Sequence, residues 1–81
     1  MKPIEFEGAN CIYGAGQREY LPLPAYKEDN ESGLVVTCWE LNEEEIKELI
    51  EKKRLYVGMM TFNKPLQPLL VSTSIEELLG I

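Results

Sequence analysis

The clearest structural pattern in the chain is that of a capped amphipathic helix. Asn42 is a favoured N-cap residue, and Glu45, three residues later, completes a capping box. Three apolar residues follow at i, i+3 and i+4 spacing, which predicts one buried stripe: Ile46, Leu49 and Ile50. Glu48 and Lys52 add a favourable i, i+4 ion pair. We therefore predict a helix over about residues 43 to 53.

Runs rich in β-branched and aromatic residues predict strands on both sides of this helix. Residues 34–39 are typical of a central strand, because both alternating sets of side chains are largely apolar. Residues 55–62 and 69–72 predict two further strands, antiparallel to each other across a turn at Asn63 and Lys64.

The first third of the chain predicts less regular structure. Residues 1–33 are punctuated by glycine and proline, with one short β-prone stretch at 10–13. Residues 20–26 contain Pro22 and Pro24, which remove two hydrogen-bond donors. This segment is therefore expected to be extended and to pair only at a sheet edge. Residues 27–33 predict a polar turn.

These elements together predict an α+β fold. We expect a small, mostly antiparallel sheet packed against one main helix, with a short C-terminal helix starting after Ser74, capped with Glu77 and ending at Gly80. The 81 residues suffice for a single domain, 1–81, with a β-α-β-β-α core over 34–81. A chain this short buries only about 60% of its unfolded surface, so we expect a homo-oligomer.

Charge and composition exclude several classes of function. The formal net charge is −6, which opposes binding to duplex nucleic acid. Histidine is absent, and the two cysteines, Cys11 and Cys38, lack the spacing of a zinc site. We therefore expect no enzyme, no catalytic residues, no metal site and no cofactor. Two unpaired thiols are favoured in a reducing cytosol, although the sequence leaves a disulfide open.

The apolar runs are short. The longest, residues 34–36 and 69–71, fall far below the roughly 20 residues that cross a bilayer. The N-terminal residues show no apolar core of a secretory signal. We expect a cytoplasmic protein with no membrane partner.

Four sequence blocks resemble a widespread family of small, uncharacterised proteins of tailed bacteriophages and prophages. The blocks are Gly8-Ala9-Asn10, the run from Gln17 to Tyr26 with its Tyr-Leu-Pro-Leu-Pro core, Cys38-Trp39-x-Leu41, and Met60-Thr61-Phe62-Asn63-Lys64-Pro65-Leu66-Gln67-Pro68. They span most of residues 8 to 68, and the tail from Ser72 onward is not shared. The resemblance implies a phage origin and the cytosol of an infected host, and it brings no established activity.

Polar and aromatic residues in apolar or proline-rich surroundings are the candidate ligand-binding residues. Amides flanking Pro65 suit hydrogen bonding to a base or ribose, aromatic faces suit stacking, and cations suit an anionic group. The alternative for each is structural: a core tryptophan, amides that satisfy loop backbone, and tyrosines that anchor the proline segment. The candidates are Asn10, Gln17, Arg18, Tyr20, Trp39, Thr61, Asn63, Lys64 and Gln67.

The resemblance to phage proteins, together with the lack of catalytic residues and the amide and aromatic side chains beside prolines, implies three candidate functions. The first is counter-defence by sequestering a nucleotide-derived immune signalling molecule of the host. The second is inhibition of a host or defence protein through an exposed Tyr-Leu-Pro-Leu-Pro segment, residues 20–24, or through the acidic face of the helix. The third is a minor virion component. The expected partner is therefore a small nucleotide-type ligand or a host protein.

Overall fold

The computed structural model describes residues 1–14, 16 and 22–81. Within them the chain forms an α+β fold in which five short strands precede two helices, as the sequence predicts for the fold class. All strand pairs are antiparallel. The elements are β1 Lys2–Ile4, β2 Cys11–Tyr13, β3 Leu23–Lys27, β4 Val35–Val36, β5 Cys38–Glu40, α1 Glu43–Lys52 and α2 Ile75–Leu79.

Three strands, in the order β2-β3-β4, form the sheet that holds the buried core. The predicted strand near residues 10–13 is confirmed as β2. Ala25 on β3 is fully buried, and Val36 on β4 is only 4% exposed. Since β3 lies between two strands, the expectation that the proline segment pairs only at an edge is wrong.

The staggered pairing of β3 explains how a proline fits there. Residues 23–25 pair with β2, whereas only Tyr26 and Lys27 pair with β4. Pro24 therefore has a paired neighbour, Ile12, on one side only. A missing N–H is tolerated at such a position, as at a sheet edge.

The single strand predicted over residues 34–39 is divided between two sheets. Val35 and Val36 pair with β3, while β5 pairs with β1 in the register Lys2 to Glu40 and Ile4 to Cys38. Thr37 separates the two strands, and its hydroxyl accepts a hydrogen bond from the Trp39 indole at 2.9 Å. Both β1 and β3 lie in the region expected to be loop-rich with one short strand.

The polar turn predicted at residues 27–33 is present between β3 and β4. The Asn30 side chain accepts from the Gly33 backbone N–H at 3.0 Å and from the Ser32 hydroxyl at 2.8 Å. Gly33 has a φ of 58°, which favours glycine. This turn sets the register between β3 and β4, in which Tyr26 pairs with the buried Val36.

Helix α1 confirms the predicted capping but not the predicted burial. The Asn42 side chain accepts from the Glu45 N–H at 2.8 Å, and the Glu45 carboxylate accepts from the Asn42 N–H at 2.9 Å. The Lys52–Glu48 ion pair is also present, at 3.9 Å. No residue of α1 is buried, and Ile50 is 70% exposed. The stripe that was expected to be buried has no covering surface within the described part of the chain.

Residues 55–62 and 69–72 are not strands, which corrects the predicted core over 34–81. A strand exists only through ladder hydrogen bonds to a neighbour. In the described residues neither run forms backbone hydrogen bonds with a strand of either sheet. The two runs therefore have the composition of strands but no strand to pair with in the described structure.

The short C-terminal helix forms as predicted, as α2, and ends at Gly80 with a φ of 76°. Its predicted capping box is wrong, because Ser74 makes no side-chain cap bond. The Ser74 hydroxyl donates to Glu76 and the Ser72 hydroxyl donates to Glu77, each at 2.8 Å.

Cys11 and Cys38 are both free and half-buried. Among the residues whose structure is described, neither helix has the length and apolar character that a membrane span requires.

Candidate functional site

The most exposed apolar part of the protein is residues 55–71, here called the apolar segment. It consists of a turn at 61–64, the tip, and two flanking arms, residues 55–60 and 65–71. The tip is closed by a hydrogen bond from the Lys64 N–H to the Thr61 carbonyl at 3.0 Å. Its two central residues, Phe62 and Asn63, have φ values of 52° and 65°. Positive φ at both positions is the pattern of a type I′ turn.

Phe62 is held in an unfavourable backbone conformation. Asparagine tolerates the left-handed region, but a bulky aromatic residue pays roughly 1 to 2 kcal/mol there. The ring of Phe62 is nevertheless 79% exposed. The tip thus presents a large apolar side chain to solvent on a strained turn, and strain of this kind concentrates at functional sites.

The arms are apolar and form neither helix nor strand. Within the described part of the chain, no backbone hydrogen bond joins residues 55–60 or 65–71 to any other residue. Lys64 is the single charged residue from 55 to 71. Their exposed large apolar side chains are Leu55, Tyr56, Val57, Met59, Met60, Leu66, Leu69, Leu70 and Val71.

Three of the candidate ligand-binding residues, Thr61, Asn63 and Lys64, lie together at the tip. Gln67 lies in the second arm and is exposed. An amide and an ammonium group are therefore presented close to Phe62. The sequence singled out Asn63 and Lys64 as a turn but assigned Phe62 to a strand, because nothing in its residue type indicates a positive φ.

Asn10 directly precedes β2 and Trp39 lies on β5, and the side chain of each makes hydrogen bonds within the fold. The Asn10 amide donates to the Lys27 carbonyl at 3.0 Å and accepts from the Lys27 N–H at 2.9 Å. This two-point contact joins the start of β2 to the end of β3. The exposed indole of Trp39 donates to Thr37. A ligand at Asn10 would compete with the bonds that hold the hairpin.

Gln17, Arg18 and Tyr20 lie outside the described residues, so their predicted role in binding stays a prediction.

An open depression of about 540 Å³ adjoins Asn10. Its lining includes the acidic residue Glu5, and none of its described lining residues is basic. An anionic ligand such as a nucleotide binds best beside cationic side chains. The described lining of this depression contains none. The lining residues are Glu5, Phe6, Ala9, Asn10, Cys11, Ile12 and Pro24.

Two carboxyl groups outside the apolar segment have perturbed acidity. The pKa of Glu45 is lowered, first by the hydrogen bond from the Asn42 backbone and then by the N-terminal ammonium of Met1. The pKa of Glu76 is lowered by the Ser74 hydroxyl. Both groups sit in the first turn of a helix and stabilise it, so they belong to the architecture.

No family model matches this chain, and neither a curated protein nor a solved structure matches it.

Proposed function

We propose that this chain is a non-enzymatic binding protein that contacts another protein through the tip of its apolar segment. One observation carries the proposal: Phe62 is 79% exposed on a turn whose backbone it strains. Aromatic side chains are enriched in the cores of protein–protein interfaces, where one buried ring contributes much of the binding energy. The partner would offer an apolar pocket for the ring.

Lys64 adds a second element of recognition. It follows Asn63 directly and is the one cation in a segment otherwise without charge. A partner with a carboxylate beside its apolar pocket would pair with Lys64, which would fix the orientation of the ring. In the phage setting that the sequence resemblance implies, the partner would be a host or defence protein in the infected cytosol.

Sequestration of a nucleotide-derived signal is the second candidate function. It is supported by the position of Asn63 and Lys64 at one turn, where an amide and an ammonium could contact a base and a phosphate. The two candidate functions depend on different side chains of the same turn. Protein binding requires the Phe62 ring, whereas reading a base by hydrogen bonds requires the Asn63 amide.

Glycine substitutions separate these functions, since glycine adopts positive φ without cost. Phe62→Gly removes the ring and Asn63→Gly removes the amide, and each leaves the turn geometry accessible. We expect Phe62→Gly to keep or raise the free energy of unfolding, because it relieves the strained backbone, and to abolish partner binding. We expect Asn63→Gly to retain partner binding.

The measurement is affinity capture by the full-length chain from the cells that naturally produce it, quantified by mass spectrometry. A stoichiometric partner bound by the wild type and by Asn63→Gly, but not by Phe62→Gly, supports the proposal. Calorimetry against cyclic nucleotides and NAD-derived signals tests the second candidate. Nucleotide binding that is lost in Asn63→Gly and kept in Phe62→Gly would replace protein binding as the function.

A further inference from the structure

The surface of the chain is too large for a folded monomer of its mass. A 9.3 kDa monomer exposes about 5,000 Å² when folded, whereas this chain exposes 7423 Å². The excess is roughly 2,400 Å². A standard interface buries about 800 Å² on each partner, and obligate dimers bury up to about 2,500 Å² on each. The excess therefore has the size of an obligate interface.

The extension of the chain agrees with this comparison. The radius of gyration is 14.1 Å, against about 12 Å for a compact chain of 81 residues. The exposed apolar side chains that would need cover are concentrated in the arms, where Tyr56 is 83% and Leu70 63% exposed.

The arm at residues 55–60 is not a strand, but like the edge of a sheet it has unpaired backbone N–H and C=O groups within the described part of the chain. It contains no proline and no charged residue, and it makes no backbone hydrogen bond with the described part of the chain. An edge of this kind is a template for pairing with another chain. The arm at 65–71 suits pairing less well, because Pro65 and Pro68 lack donors.

The uncharged arms are the part of the surface where a second copy of this chain can bind without charge repulsion. With a net charge of −6, two copies repel each other over most of their surfaces. Residues 55–60 and 65–71 carry no charge, so contact there brings no carboxylates together. If two identical arms pair antiparallel around a two-fold axis, each arm is used by its partner. Assembly then stops at a dimer.

From these observations we infer that the chain forms a two-fold symmetric dimer in which residues 55–60 pair antiparallel with the same residues of a second copy, covered by residues 65–71. This inference goes beyond the proposed function, because it depends on the arms and leaves the tip free. The dimer would present two Phe62 side chains to a partner and so bind a repeated target more tightly than one copy could.

The test is the molar mass of the full chain by sedimentation and native mass spectrometry, from about 1 to about 100 μM. The wild type should be a dimer. Tyr56→Glu and Leu70→Glu should each weaken dimerisation at least about 30-fold, because each would bury an unpaired charge. Both side chains are exposed in the monomer, so the monomer fold should persist. Thr73→Glu adds the same charge at an exposed position outside the arms and should leave the dimer intact.

Hydrogen exchange locates the interface. Amides of residues 55–60 should exchange rapidly in the Tyr56→Glu monomer and be protected at least about tenfold in the wild-type dimer. A monomeric wild type at every concentration overturns the inference. So does a dimer that Ile50→Glu dissociates while the arm variants do not, because the stripe of α1 would then be the interface.

Failure of this inference is distinguishable from failure of the proposed function. Phe62→Gly should lose the partner and remain a dimer. A monomeric wild type that still captures a partner in a Phe62-dependent manner overturns the dimer alone. A dimer that captures nothing through Phe62 supports the dimer and contradicts the proposed function.

Discussion

Two regions that both contain apolar, strand-forming runs have opposite structures in this protein. Residues 1–40 hold all five strands of the described chain, and their pairing buries Ala25 and Val36. Residues 55–71 contain comparable apolar runs, yet form no strand and bury no side chain. The difference teaches that strand propensity becomes structure only where a neighbouring edge supplies the hydrogen bonds.

The largest expected difference between the two regions is in the free energy of unfolding, when a core side chain of the sheet region is truncated. Val36 is 4% exposed and its neighbour Val35 is 42% exposed. Val36→Ala should lower the free energy of unfolding by about 2 kcal/mol, through lost apolar burial and the cavity left behind. Val35→Ala, the matched control on the same strand, should change it by less than about 0.5 kcal/mol.

Urea denaturation of both variants, followed by circular dichroism, gives the two values. If the two valine variants lost equal stability, the three-stranded sheet would not be the core, and the comparison between the regions would fail. The same substitution in an arm, Val57→Ala, should cost the monomer almost nothing, because Val57 is exposed.

The next effect concerns an amide that holds the sheet region together. Asn10→Ala removes both hydrogen bonds to the Lys27 backbone. We expect a loss of about 1.5 kcal/mol in the free energy of unfolding, since each bond contributes roughly 0.5 to 1.5 kcal/mol. Thermal denaturation provides the measurement.

Gln67→Ala is the control for the loss of an amide. It lies in an arm, and its side chain makes no hydrogen bond with the described residues, so its truncation should be nearly neutral for the monomer. An Asn10→Ala variant of wild-type stability that failed to bind a nucleotide would instead restore Asn10 to the candidate ligand site.

The features that the sequence predicted correctly depend on residues close together in the chain. The capping box of Asn42 and Glu45, the turn at Asn63 and Lys64, and the C-terminal Gly80 are all local. Strand β2 was also found from its composition. Such signals act within a few residues, so one sequence is enough to read them.

The features that the sequence missed depend on distant pairing. Strand β1 forms because it meets β5, some 35 residues away, and the run 34–39 divides because two different partners take its two ends. The sequence assigned Pro24 to a sheet edge because proline has no N–H to donate. In the structure β3 is a central strand, but its staggered register leaves Pro24 with a paired neighbour on one side only. None of these partners is visible in the residues concerned.

The candidate site was predictable only in part, for the same reason. Amides beside prolines indicated the turn that presents Asn63. The strained φ of Phe62 runs against the preference of its residue type, so composition could not indicate it. The structural role of Asn10 depends on bonds to Lys27, which is distant in the chain. Trp39 bonds to the nearby Thr37, a contact that its residue type leaves open.

The smallest expected effect concerns the contacts of Glu45, which lie at the start of α1 and reach the N-terminus of the chain. Glu45 accepts from Asn42 and contacts the N-terminal ammonium of Met1, next to β1. These contacts lower its folded-state pKa below its ordinary value of 4.5. In this range the unfolded state binds more protons, so stability rises with pH. The contribution of Glu45 is present above about pH 4.5 and is lost as the pH falls through the folded pKa.

Glu45→Gln should therefore flatten the acid side of the stability profile, measured by urea denaturation at successive pH values between 7 and 3. Glu44→Gln removes the same charge from the same turn without touching the capping box, and it should retain more of the acid dependence. The pKa of Glu76 is also lowered, so Glu76 adds its own contribution to the acid dependence of stability, and neither variant removes it. Identical acid slopes for Glu45→Gln and Glu44→Gln would mean that neither the capping-box bond of Glu45 nor its contact with the N-terminal ammonium contributes to stability in solution.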